Sequence, residues 1–243
     1  LGAPDPADGE EAGLLMEKIG GLLRLLNHAY YDLDSPLADD RDYDLLLRRL
    51  EDLEARFPDL SAADSPARHV GGGLSEKFSP VPHPYPMLSL LDVFSREEVE
   101  DFVGRIQARV PGEAFLVEMK IDGLSISLTY EKGRLVRGVT RGDGVSFGED
   151  VTENLLEIRA IPKVLAEAVE ELSVRGEVFM PQRSFESLNR ELEEEGKKLF
   201  ANPRNAASGT IRQLDASVVR SRNLSFFAFE VQHASRGFRS DSE

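Results

Sequence analysis

Residues 118–140 read EMKIDGLSISLTYEKGRLVRGVT, and the fold class turns on how this stretch alternates. Leu124, Ile126, Leu128 and Tyr130 fall on one side of an extended chain, the period of a half-buried strand. The tetrad EKGR (131–134) then turns the chain into LVRGVT (135–140), a hairpin pattern. Just upstream, FLVEM (115–119) reads as an apolar, extended segment. Further strands are expected at 172–180 (LSVRGEVFM) and 224–231 (LSFFAFEV), with helices over 95–109 and near 149–158, 164–171 and 182–195. Strands joined by hairpins with helices packed on one side predict an α+β domain rather than a doubly wound parallel sheet.

The first part of the chain has a different period. Leu15, Ile19, Leu22, Leu23 and Leu26 recur at helical spacing, as do Tyr43, Leu46, Leu47, Leu50, Leu53 and Phe57 before Pro58 ends the run. The two amphipathic segments, joined by DLDSPLAD, predict a small helical hairpin with Asp39 or Asp40 capping its second helix. DSPARHVGGG and SPVPHPYP are rich in Pro, Gly and Ser and keep neither period. A boundary is expected there: 1–70 a helical domain, 71–85 a linker, and 86–243 a second domain.

Composition narrows the function classes. With 41% hydrophobic residues, the chain has enough apolar material for a sizeable core. Its net charge of −15 makes it a poor stand-alone binder of nucleic acid, where affinity comes mainly from phosphate neutralisation. The charge is uneven, with 11 basic against 22 acidic side chains in 1–110 but 18 against 22 in 111–243. A basic tract holds Lys197, Lys198, Arg204, Arg212, Arg220, Arg222, Arg236 and Arg239. It reads equally as a nucleic-acid contact or as a solvated surface with internal ion pairs. Zero cysteines exclude disulfides, thiolate-held zinc and a thiol nucleophile within these residues. No apolar stretch approaches the roughly 18 residues of a membrane span, and no signal-peptide pattern opens the chain. These features predict a cytoplasmic protein with no membrane partner.

Familiar nucleotide loops are missing. Gly142, Gly144 and Gly148 do not fit G-x-G-x-x-G, and nothing fits the Walker loop. The four histidines lack metal-ligand spacing. The candidate chemistry sits in EMKIDG. A lysine amine there is a possible nucleophile, Asp122 two residues on points to the same side of an extended segment, and Gly123 lets backbone approach closely. Taken alone, K-x-D-G is short and equally compatible with a surface lysine at a strand end.

The motif has company in a fixed order: YYDLDSPLADDRDYD (30–44), PMLSLLDVF (86–94), TRGDGVSFGEDVTENL (140–155), VRGEVFMP (174–181), ANPRNAASGTIRQLD (201–215) and FFAF (226–229). Together with EMKIDG these resemble, across nearly the whole chain, the amino-terminal half of bacterial NAD+-dependent DNA ligases. The resemblance implies an α+β architecture: a small N-terminal helical hairpin domain, then a mixed, mainly antiparallel nucleotidyltransferase (ATP-grasp-like) domain truncated at its C-terminal end. It implies that Lys120 takes AMP from NAD+ with release of nicotinamide mononucleotide, and that AMP passes to the 5′-phosphate of nicked double-stranded DNA for sealing. Mg2+ or Mn2+, held mainly by phosphates, is the implied metal. By position, Lys120, Asp122, Arg141 and Glu177 are the implied catalytic residues, with Lys120, Arg141, Glu177, Glu118, Ser89 and Leu90 against the nucleotide. Tyr30, Tyr31, Asp40, Arg41, Asp42, Tyr43 and Asp44 are implied in recognising the mononucleotide, with aromatic stacking and carboxylates suiting a cationic ring and ribose hydroxyls. Arg204 and Arg212 are implied at the DNA-facing surface; pairing with Asp215 is the alternative.

Some positions depart from the family pattern. Leu91 and Asp92 stand where the family has Asp then Asn, and Tyr31 where some members have His. The family's later catalytic lysines, oligonucleotide-binding barrel, zinc module, helix-hairpin-helix repeats and BRCT domain have no counterpart in 1–243. A fragment of a monomeric ligase is therefore expected, with zinc only in the missing part. Two rival readings stay open: an ATP-dependent covalent nucleotidyltransferase, which would lack the 30–44 segment, and a non-catalytic NAD-binding homologue.

Overall fold

The computed structural model describes residues 4–32, 37–62, 64–67, 78–88, 93–142 and 144–237. In chain order the regular elements are α1 (Gly9–Asn27), a π-helical turn (His28–Asp32), α2 (Asp40–Arg56), β1 (Pro80–Pro82), α3 (Arg96–Arg109), β2 (Leu124–Glu131), β3 (Arg134–Thr140), β4 (Phe147–Glu149), α4 (Thr152–Leu156), β5 (Glu171–Phe179), α5 (Gln182–Glu194), α6 (Pro203–Ile211), α7 (Ala216–Ser221) and β6 (Ser225–Ala234). No described helix is long and apolar enough to cross a membrane.

The helical hairpin forms as its period requires. Met16, Ile19, Leu23 and Leu26 of α1 pack on Leu46, Leu50 and Leu53 of α2 in a core of their own. Asp8 caps α1 by accepting from the Glu11 N–H, and Asp39, not Asp40, caps α2 by accepting from the Asp42 N–H at 2.8 Å. In each case a carboxylate satisfies an orphan donor at the positive end of the helix dipole.

The second unit is built on a four-stranded antiparallel sheet in the order β3-β2-β5-β6. The β2–β3 turn is tight, with Lys132 at φ 48° and Gly133 at φ 72°, the double positive φ of a two-residue turn whose twist matches the strands. Ile126, Leu128, Tyr130 and Val178 project from one sheet face onto Leu155, Leu188, Ala206, Ala207, Ile211 and Val219 of α4–α7. The opposite face is polar. Ser125 stands across from Glu177 and Ser127 across from Arg175 in the β2–β5 register. Strand alternation thus divides one sheet into a core wall and a working surface. A two-stranded β1–β4 ribbon pairs Pro80–Pro82, inside the segment read as a linker, with Phe147–Glu149.

The structure departs from the sequence reading at two further segments. Residues 115–119 form no strand, and Leu116, Val117 and Met119 are largely exposed, Val117 at 91%. An apolar run favours a strand only where a neighbour completes its ladder, and none of the described strands does so. Residues 164–171 carry helix-forming side chains but no helix. Instead they wrap the β2–β3 turn: Leu165 N–H donates to Gly133 O, Gly133 N–H to Val169 O and Lys132 N–H to Glu170 O. Satisfying the turn's backbone outweighs local helix propensity.

Leu155 is fully buried between β3 and the sheet core. Leu155→Ala is expected to cost about 2–5 kcal/mol of stability, read as a lower denaturant midpoint at unchanged slope.

Candidate active site

The polar sheet face carries the candidate site, and its floor is a short chain of hydrogen bonds. Arg175, nearly buried, directs its Nε to Ser125 Oγ at 3.4 Å, and Ser125 in turn hydrogen-bonds the Glu177 carboxylate. Glu177 also accepts from the Gly123 backbone N–H. Gly123 passes so close to β5 that a Cβ on it would collide with the Val178 carbonyl, so this position of the motif admits no side chain. The K-x-D-G loop is thereby pressed against the RGE strand.

Burial pushes the Glu177 carboxyl above its usual range. The Arg204 guanidinium and the Ser125 and Gly123 hydrogen bonds pull it back, while Asp122 pushes it further up. Arg204 reaches this cluster from the first turn of α6, where Asn202 caps the helix by accepting from the Asn205 N–H. Its Nη1 lies 3.3 Å from Asp122 Oδ1, and its Cζ stands 5.3 Å over the centre of the Tyr30 ring. One arginine therefore joins the motif loop, the RGE strand and the helical hairpin.

A strap, residues 83–88, runs along the site and is held by its main chain. Arg141 Nε donates to Met87 O at 3.1 Å, and Arg175 Nη1 donates to Leu88 O at 2.8 Å. Met87 N–H donates to Gly144 O, and His83 Nε2 bonds the Arg141 carbonyl. Ser89 and Leu90 follow directly and lie outside the described residues, as do the side chains of Tyr31 and Asp40.

Asp122, Arg141, Glu177, Arg204 and Tyr30 are linked through these contacts. Lys120 and Glu118 lie on the exposed segment before the loop. Tyr43 packs against the hairpin core, Asp44 is half-buried, and Arg41 and Asp42 face solvent. Arg212 turns inward, its Nε 3.0 Å from Oε2 of Glu149, which is 1% exposed. Most other described cations of the basic tract are paired too, but at the surface. Arg220 pairs with Glu157, Arg236 with Glu167 and Lys197 with Glu195, while Arg222 bonds Thr210 Oγ1 and covers the Phe200 ring. The sequence reading missed Arg175 and Ser125. Both were signalled by period two, Arg175 two residues before Glu177 and Ser125 two after Gly123. Among the described residues, no group of three or more His, Asp or Glu side chains is arranged to hold a metal ion.

Comparison with known proteins places this geometry. Residues 75–243 match the family model of the NAD-dependent DNA ligase adenylation domain. The chain belongs to that family. Residues 11–71 match the DNA ligase-like, N-terminal NAD+-binding domain, so the helical hairpin also has its counterpart among the ligases. A DNA ligase of Desulforamulus reducens is 50% identical over 219 residues, covering 88% of this chain and 32% of that relative. The chain thus spans about a third of that ligase's length.

A carboxyl whose pKa is higher in the fold than in the unfolded chain favours folding in acid, and that contribution is lost as pH rises through its folded pKa. Glu177→Gln is therefore expected to melt higher than the parent protein at neutral pH, with the difference shrinking as pH falls. Thermal melts across the acid range check this.

Proposed function

We propose that this chain is the NAD+-reading and lysine-adenylating part of an NAD+-dependent DNA ligase. The observation that carries the reading is the convergence of Asp122, Gly123, Glu177 and Arg204 at the loop that directly follows the motif lysine in sequence, in a chain that matches both ligase domains. Lys120 Nζ, once deprotonated, attacks the α-phosphorus of NAD+. An N–P bond forms, the bond to the bridging oxygen breaks, and nicotinamide mononucleotide leaves with that oxygen. The 5′-phosphate of a nick then attacks the AMP phosphorus, the N–P bond breaks and Lys120 leaves as its amine; finally the 3′-hydroxyl attacks that 5′-phosphate and AMP leaves as the strand is sealed.

The side chains divide the labour. Glu177 and Arg141 serve the adenosine moiety, Arg141 in part by holding the strap that leads to Ser89 and Leu90. Glu118 serves the adenine side. Asp122, two residues after the lysine and exposed, would share with phosphate oxygens in holding Mg2+, an ion that commonly uses one or two carboxylates plus phosphates. When bound, that ion would neutralise charge developing on the phosphoryl oxygens. Tyr30, Tyr31, Asp40, Arg41, Asp42, Tyr43 and Asp44 recognise the mononucleotide, which selects NAD+ over ATP. Nicked duplex DNA, met during bacterial replication and repair, is the partner of the whole protein, with Arg204 and Arg212 supporting the later steps. The net charge of −15 and the pairing of most of the basic tract with carboxylates support a division in which tight DNA binding belongs to other parts of a full-length ligase.

Intact-protein mass spectrometry after incubation with Mg2+ and either NAD+ or ATP tests the reading. A single AMP adduct is expected with NAD+ alone, and none in Lys120→Ala. An adduct that persists in that variant sinks the mechanism, and no adduct on the parent chain favours a non-catalytic NAD-binding module. Asp44→Ala is expected to slow adenylation by NAD+ roughly tenfold or more, the worth of a charged hydrogen bond. AMP transfer to nicked DNA from pre-adenylated protein should be unaffected; equal loss in both assays would assign the hairpin another role.

A further inference from the structure

Arg204 meets both units of the chain at once. Its guanidinium pairs with Asp122 in the motif loop and covers the ring of Tyr30 in the turn that ends α1. The arginine side chain is 31% exposed, so the stack is partly desolvated and stronger than a fully wet one. The hairpin also touches the second unit through Arg48, which pairs with Glu98 at 2.7 Å and lies 5.6 Å from the Phe94 ring centre. That contact is at α2 and α3, whereas Arg204 joins the hairpin to the candidate site itself.

A guanidinium is flat, delocalised and singly positive. The oxidised nicotinamide ring is also flat, delocalised and singly positive. An aromatic face that attracts one attracts the other by the same quadrupole. We propose that Arg204 is a placeholder for nicotinamide: it covers the Tyr30 face that receives the nicotinamide ring, and NAD+ displaces it. The proposal rests on the reading above that Tyr30 stacks on that ring. The placeholder keeps the hairpin against the site and the aromatic in position. On displacement the guanidinium is left on the Asp122 and Glu177 side, where its charge faces incoming phosphates. The exchange also makes Arg204 a specificity residue, because a nucleotide without a flat cation, such as ATP, competes poorly for Tyr30.

Calorimetric titration of Arg204→Gln with nicotinamide mononucleotide and, separately, with AMP tests this. Removing the competing cation is expected to tighten mononucleotide binding about threefold, the worth of one partly exposed cation–π contact, without tightening AMP. Unchanged or weaker mononucleotide binding overturns the proposal, since a ring sandwiched between Tyr30 and Arg204, or a purely structural arginine, gives that result. Should the variant fail to fold by circular dichroism, the parent protein carries the test. The Arg204 Nε–H resonance lies within the Tyr30 ring current, and mononucleotide, but not AMP, is expected to remove that shift; a shift that survives saturation overturns the proposal. Tyr30→Ala separates the two layers. Loss of mononucleotide binding there, with no tightening in Arg204→Gln, leaves the Tyr30 reading standing and removes the placeholder. Undiminished binding in Tyr30→Ala overturns the Tyr30 reading and the placeholder with it.

Discussion

The site depends on one constraint, the close approach of the Gly123 backbone to β5. Contact at that point brings the Gly123 N–H to Glu177, sets Ser125 across from the same carboxylate and leaves Asp122 at the lip, where Arg204 meets it. A side chain at 123 would separate the loop from the strand and pull apart every contact that follows. The remainder of the second unit maintains this geometry. The α4–α7 layer fills the apolar face of the sheet, so the polar face keeps a fixed pleat. A rigid sheet can hold a half-buried carboxylate in an unfavourable setting because many packed side chains oppose its relaxation.

Charge is used locally. The chain as a whole is strongly acidic, and the described cations of its basic tract are mostly paired, at the surface for Lys197, Arg220 and Arg236 and inward for Arg212. Arg212 on buried Glu149 is the clearest case, for a buried carboxylate without its partner would be costly. Such arginines hold elements in place first, and any field they project outward is reduced by their partners. Arg204 differs because it meets both an exposed carboxylate, Asp122, and an aromatic ring, Tyr30, both of which a ligand can replace.

Period was the legible part of the sequence. Alternation in LSISLTY and the EKGR turn gave β2 and β3, and the leucine spacing gave both helices of the hairpin, because in each case the burial pattern is written in consecutive residues. Elements whose conformation depends on a distant partner were not legible. FLVEM looks like a strand to any local reading, and VLAEAVEE looks like a helix until the turn it wraps is known. The site followed the same rule. Asp122 and Glu177 announced themselves through short motifs, whereas the Arg204 contact spans 82 residues to Asp122 and leaves no local trace. Arg175 was hidden differently, its period-two position being visible but its targets, a serine and a main-chain carbonyl, being common to any strand.

The strap is recognised through its carbonyls. Arg141 and Arg175 grip Met87 O and Leu88 O, atoms that every residue possesses, while the Met87 side chain alone is sunk into the protein and Pro86 and Leu88 are exposed. Mutational drift is therefore cheap at the exposed strap positions and expensive at the two arginines that hold it. The strap can change its sequence over evolutionary time and still keep its course, because the information that fixes that course is stored just after β3 and in β5 rather than in the strap.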